Sequence, residues 1–248
     1  MISKKLKYLV TFFFVFSAGS AIAVEPSGDL TLLVAKDKTK VYASNYRALN
    51  NSPKIALLFH QADSNRMEYE TALSIFHVAG FDTLTVDLRS GGTRWGADNM
   101  TVKRIGESSE YAEAYPDMEA ALNYAIKRKY KKILLVGSSY SASLAIILAS
   151  KNPGKVTAVA AFSPGEYFPD KNRVKSATAN LKVPLYVTGA RNETKRVEEV
   201  IIKADDIDLT YYSPINSVHG ISSLRQDQNA DGYKANAENL SAFVMRFK

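Results

Sequence analysis

Three histidines (His60, His77 and His219) and no cysteine stand in a chain of 248 residues. Thiol nucleophiles, disulfides and Cys-ligated zinc are therefore excluded, and histidine-dependent proton transfer has three candidates. The serines point to one place. In Ile133-Leu134-Leu135-Val136-Gly137-Ser138-Ser139-Tyr140-Ser141-Ala142-Ser143 an apolar strand pattern stops, a turn of small residues follows, and a helical run begins at once. A nucleophile elbow needs this setting, because its strained turn lifts a serine hydroxyl clear of the sheet edge. The residues two before and two after the nucleophile must be small for strand and helix to pass closely. That rule separates the two adjacent serines. Ser139 has Gly137 and Ser141 as flanks, whereas Ser138 would have Val136 and Tyr140. Ser139 is the candidate nucleophile, and acyl transfer with a histidine base is the chemistry it offers.

His219 is the candidate base by elimination and by position. It lies in Val218-His219-Gly220, after the last strand pattern, where a loop reaches the same sheet edge as the elbow. His77 falls inside an apolar-faced helical stretch, and His60 ends a strand, where its expected role is to hold a loop by hydrogen bonds.

The elements that must carry these residues alternate. Residues 30–34 and 41–46 read as two antiparallel strands. The continuous apolar run 55–59 reads as a strand buried on both faces, and 84–88, 133–136, 156–162, 185–188 and 209–212 as further strands. Helical patterns occupy 67–78, closed by Gly80, then a stretch opened by Pro116, 142–149, 197–203 and 235–246. This alternation predicts an α/β fold with a mostly parallel central sheet and helices on both faces. Residues 89–115, carrying the single Trp95 with Arg94, Tyr111 and Tyr115, form a connection long enough to suggest a lid or substrate-facing insertion.

Residues 1–23 read as a cleaved secretory leader: Lys4, Lys5 and Lys7, an apolar run, then Ala21-Ile22-Ala23. The run is too short to span a membrane. The expected mature chain is 24–248, one domain, periplasmic or secreted, with no stable membrane insertion. Its net charge falls from +7 to +4, scattered rather than striped, which argues against a nucleic-acid partner. Asp227-Gln228-Asn229-Ala230-Asp231-Gly232 with Glu238 matches the EF-hand loop pattern. Lys234 stands where that loop wants an apolar residue, and no long helix leads in. The expectation is a polar turn in which Asp231 or a neighbour caps the last helix, with no metal and no cofactor.

Together these features resemble the α/β-hydrolase superfamily, and within it small dienelactone-hydrolase-like or esterase-like members. Leu57-Leu58-Phe59-His60-Gln61-Ala62 sits where such proteins carry a His-Gly oxyanion loop, and Asp87-Leu88-Arg89-Ser90-Gly91-Gly92 resembles their Asp-x-Arg-Gly-x-Gly segment. Dienelactone hydrolases proper use a cysteine nucleophile, which this chain lacks. The resemblance implies the order nucleophile, acid, histidine, with oxyanion donors at the Tyr140 N–H and the Ala62 N–H, or Gln61 if the loop is shifted by one. It places the acid after strand 185–188, where Gly189-Ala190-Arg191-Asn192-Glu193 puts Asn in the Asp slot. Glu193 is favoured, since neutral Asn192 supplies no compensating charge; Glu166 is the fallback. The implied function is an exported serine hydrolase that cleaves a small-molecule carboxylic ester or related acyl bond through an acyl-enzyme. A weak or inactive binding or accessory protein of the cell envelope, built on the same fold, is the alternative.

Overall fold

The computed structural model describes residues 28–48, 52–202, 204 and 207–248; the leader at 1–23 lies outside them. β1 (Asp29–Val34) and β2 (Lys40–Tyr46) form an antiparallel hairpin in register Leu33↔Val41. After β3 (Lys54–Phe59), a 3-10 turn at Arg66–Ala72 runs into α1 (Leu73–Val78) and then β4 (Asp82–Val86). α2 (Met100–Ile105) and a 3-10 turn at Tyr111–Ala114 precede α3 (Tyr115–Lys127). The rest alternates regularly: β5 (Lys132–Ser138), α4 (Tyr140–Lys151), β6 (Ala158–Phe162), α5 (Arg173–Ala179), β7 (Leu185–Thr188), α6 (Thr194–Ile201), β8 (Leu209–Tyr212) and α7 (Tyr233–Met245).

The strands make one sheet in the order β1-β2-β4-β3-β5-β6-β7-β8, parallel from β4 to β8, with the hairpin antiparallel at one edge. Alternate residues of the central strands feed two separate cores. Ile55, Leu57 and Phe59 pack with α3, α4, α5 and α6 on one face, while Ala56 and Leu58 pack with α1 and α7 on the other. Both faces are covered, which is why β3 and β5 read as unbroken apolar runs. α4 is buried along nearly its whole length, so it positions its N-terminus rigidly.

Differences from the expected elements are local. The 67–78 stretch is helical, but its first part is wound as 3-10, where the Tyr69 hydroxyl donates to Phe59 O (2.8 Å) and Asn65 caps the turn. β4 lies two residues earlier than the expected 84–88, and β6 begins two residues later than the expected 156–162 and ends with it. Residues 89–115 are not structureless: α2 lies within them, capped by Asn99, whose side chain accepts the Val102 N–H (2.9 Å). α7 starts after Gly232 with no side-chain cap, so Asp231 does not play that part. Asn229 donates its amide to Ser223 O (2.9 Å) and Asp227 pairs with Arg225 (3.1 Å), so this segment's side chains are turned to its own surroundings. Among the described residues there is no cluster of metal-ligating side chains and no helix long and apolar enough to cross a membrane.

Candidate active site

The elbow at the end of β5 has the strained geometry that its sequence demands. Ser139 takes φ 62° and ψ −124°, a region L-residues rarely adopt, and its N–H is held by Phe162 O (2.8 Å). Gly137 is obligatory, because a Cβ there would stand 2.5 Å from the Ala142 backbone. Ser141 does more than stay small. Its hydroxyl accepts the Ser138 N–H (2.9 Å) and donates to Phe59 O (2.8 Å), tying elbow, helix and β3 together. The Tyr140 N–H opens α4 and has no carbonyl four residues back to bond, so it is free for a ligand oxygen.

His219, Glu193 and Ser163 form a hydrogen-bonded chain across the ends of β8, β7 and β6. His219 Nδ1 lies 2.5 Å from Glu193 Oε1, and the Ser163 hydroxyl donates to Glu193 Oε2 (2.5 Å). Ser163 Oγ also accepts the Gly220 N–H (2.9 Å), closing the chain back onto the His219 loop. The Ala190 N–H (3.0 Å) and the Arg196 guanidinium complete the shell around Glu193. Burial alone would push the Glu193 carboxyl up, but the bonds from His219 and Ser163 outweigh it and hold the group at about 2. With Nδ1–H donated to this carboxylate, His219 Nε2 carries the lone pair.

The His219 loop is locked to the elbow. Ile221 N–H donates to Ser138 Oγ (3.0 Å), and Gly220, at φ 68°, is so close that a Cβ would stand 2.4 Å from that oxygen. The Tyr167 hydroxyl donates to Ser163 O (2.8 Å). Tyr111 stacks flat on Tyr140 (4.7 Å between ring centres) and edge-on to Tyr167 (6.5 Å), so the 89–115 segment does deliver an aromatic side chain beside the elbow.

The loop after β3 is held by buried hydrogen bonds. His60 is fully buried; its Nε2 accepts the Leu88 N–H (2.9 Å), so Nδ1 carries the proton and donates to Gln61 O (2.7 Å). Burial depresses its pKa and keeps the ring neutral, as a loop-holding residue requires. The Gln61 N–H is taken by Glu68 Oε2 (2.9 Å), which removes Gln61 as an oxyanion donor and leaves Ala62. The other two acid candidates are placed elsewhere. Glu166 accepts the Val174 and Lys175 N–H groups (2.9 and 2.8 Å) at the start of α5, and Asn192 is exposed to solvent. Asp87 and Arg89 are structural: Asp87 pairs with Arg66 (2.5 Å) and accepts the Met100 N–H (2.8 Å), while Arg89 bridges Asp117 and Asp37 (2.6 Å each).

Sequence reasoning passed over Ser163 and Glu68. Ser163 offered one signal, a Ser-Pro-Gly turn directly after a strand on the catalytic edge, and its positive φ of 54° marks a residue held by its surroundings. Glu68 offered none.

The same fold recurs in known structures. The esterase domain of a Rhodothermus marinus protein superposes with a TM-score of 0.66 at 15% identity, covering 88% of this chain and 98% of that one. A dienelactone hydrolase from Anabaena variabilis gives 0.67 at 15% identity over 90% and 98%. Est1E from Butyrivibrio proteoclasticus, in its ferulic acid complex, gives 0.67 at 14% over 87% and 98%. No curated protein sequence matches significantly. The model of the dienelactone hydrolase family matches residues 63–242, from the loop after β3 into α7. With a serine at the elbow and no cysteine in the chain, the chain belongs to the dienelactone hydrolase family and is a serine-esterase-like hydrolase of the α/β-hydrolase fold.

Proposed function

We propose that the chain hydrolyses a small-molecule carboxylic ester through a Ser139–His219–Glu193 triad. Ser139 Oγ attacks the acyl carbon while His219 Nε2 takes its proton, and the Tyr140 and Ala62 N–H groups receive the charge that develops on the acyl oxygen. The protonated His219 then gives its proton to the departing alcohol, leaving an acyl-Ser139. Water, deprotonated by the same nitrogen, attacks that ester and releases the acid. Glu193 stays ionised throughout and compensates the imidazolium. The observation that carries this reading is the Ser163–Glu193–His219 hydrogen-bonded chain, buried at Ser163 and Glu193 and half-exposed at His219, held against an elbow whose serine sits at positive φ.

We also propose export, on the strength of the Lys4-Lys5-Lys7 leader and its Ala21-Ile22-Ala23 site. One preparation tests both readings. Protein recovered from the periplasm or the medium is expected to begin at Val24 and to be labelled by a fluorophosphonate at Ser139. Ser139→Ala abolishes labelling and lowers ester turnover by about 10⁴-fold or more. Folded protein that takes no label at neutral pH would overturn the triad, and an intact Met1 in the cytosolic fraction would overturn export.

A further inference from the structure

Glu68 is a buried acid that the triad does not use. Its residue is 1% exposed, it has no cation partner at ion-pair distance, and its Oε1 has no hydrogen-bond partner among the described residues. Such a group is costly to keep, since a buried carboxyl with one oxygen unpaired is worse for stability than an apolar side chain of the same size. What it does that an apolar side chain cannot do is accept the Gln61 N–H through Oε2 (2.9 Å).

That single bond acts on the catalytic geometry through the backbone. The peptide joining Gln61 to Ala62 is planar and trans, so its C=O and N–H point in opposite directions. His60 Nδ1–H holds the Gln61 carbonyl, which aims the Ala62 N–H away from the buried imidazole. The preceding peptide, between His60 and Gln61, is held by Glu68. Both planes flanking the Gln61 Cα are therefore clamped, one by each side chain, and the two backbone torsions between them are fixed. The Gln61 side chain is secured as well, through Nε2 to Ser222 Oγ (3.3 Å).

We propose that Glu68 is the positioning residue of the oxyanion loop, holding the chain at Gln61 so that the Ala62 N–H meets the acyl oxygen. This rests on the serine-hydrolase reading above. The groups facing Glu68 come from four elements: Ser64 and Gln61 from the loop after β3, Arg94 from the loop after β4, Tyr140 from α4 and His219 from the loop after β8, with Tyr69 beside it on its own turn. Burial pushes the carboxyl up to about 7 against the pull of the Gln61 N–H, Arg94, Ser64 and His219. A carboxyl that is neutral over part of the working range adds little negative charge beneath an oxyanion, yet still accepts the Gln61 N–H.

Two substitutions of similar volume test this with p-nitrophenyl acetate, rates being normalised to Ser139 sites titrated by fluorophosphonate. Glu68→Gln keeps an acceptor oxygen and is expected to retain kcat within about threefold. Glu68→Met removes it and is expected to lower kcat by about 10–100-fold, short of the roughly 10²–10³ for outright loss of one oxyanion donor, with KM within about threefold. A folded Glu68→Met enzyme with wild-type kcat overturns the proposal, as does a Glu68→Gln enzyme as slow as Glu68→Met. Should Glu68→Met not fold, Glu68→Leu takes its place. If neither folds, the carboxyl serves the fold itself and the positioning role falls. The two readings fail differently: wild-type turnover that survives Ser139→Ala sinks the triad and this proposal with it, whereas Ser139-dependent turnover indifferent to Glu68→Met sinks only the latter.

Discussion

Glu193 stands one residue beyond the slot in which the resemblance places the acid, and the local winding explains how it reaches His219. The turn at Arg191–Glu193 is 3-10, with three residues per turn, so successive side chains point about 120° apart. Asn192 is thereby turned to solvent and Glu193 inward, where its carboxylate gathers His219, Ser163, Ala190 and Arg196. The charge is what Asn192 lacks. Glu193→Gln keeps the shape and removes it, and kcat is expected to fall by about 10³–10⁴-fold in steady-state ester hydrolysis. The same carboxylate links stability to acid. Its pKa is held at about 2 in the folded chain, below its ordinary 4.5, so the unfolded chain binds the proton first as pH falls. Its contribution is present above about 4.5 and is lost between there and about 2. Thermal unfolding of wild type should weaken more steeply than that of Glu193→Gln across this window.

At the scale of elements, four strand ends meet at the site. β5 carries Ser139, β6 Ser163, β7 Glu193 and β8 His219, and Ser163 is the side chain that touches the loops after both β7 and β8. Ser163→Ala would leave the buried Gly220 N–H without its acceptor and Glu193 Oε2 without its strongest donor, loosening the His219 loop. A kcat about tenfold lower with nearly unchanged KM is expected, in line with the roughly 1–3 kcal/mol for leaving a buried polar group unpaired; wild-type kinetics would show that the loops hold without it. This device was not legible in the sequence, because it depends on three loops that are distant along the chain. The strands were legible, since β3 and β5 are buried on both faces and read as apolar runs. So was the elbow, whose small flanks answer a local steric demand. α2 and α5 were not, at six and seven residues, too short for a 3.6-residue period to repeat. Glu68 was hidden for a different reason: it lies on a stretch with helical periodicity, and only the folded loop reveals that it points at the Gln61 N–H.

Across the whole molecule, the sheet separates support from chemistry. The β1-β2 hairpin closes one edge, and the Arg89–Asp117–Asp37 cluster ties it to the start of α3, while the site occupies the ends of the parallel strands on the other side of β3. The two cores are built from different parts of the chain. The one that carries α4 is filled mostly by residues before 201, whereas the other is completed by Ile221, Leu224 and α7. The bond from Ile221 N–H to Ser138 Oγ spans 83 residues and joins these halves at the catalytic edge. Contacts so far apart in the chain form late, because the entropy of closing the intervening segment must be met first. A chain released from denaturant is therefore expected to regain its helical circular dichroism before its ester turnover, with turnover following the docking of α7; coincident recovery of both signals would refute this order. On the proposed triad, a copy that stops short of His219 would carry Ser139 without its base, so ester turnover is expected only once the segment from His219 onward has been made and docked.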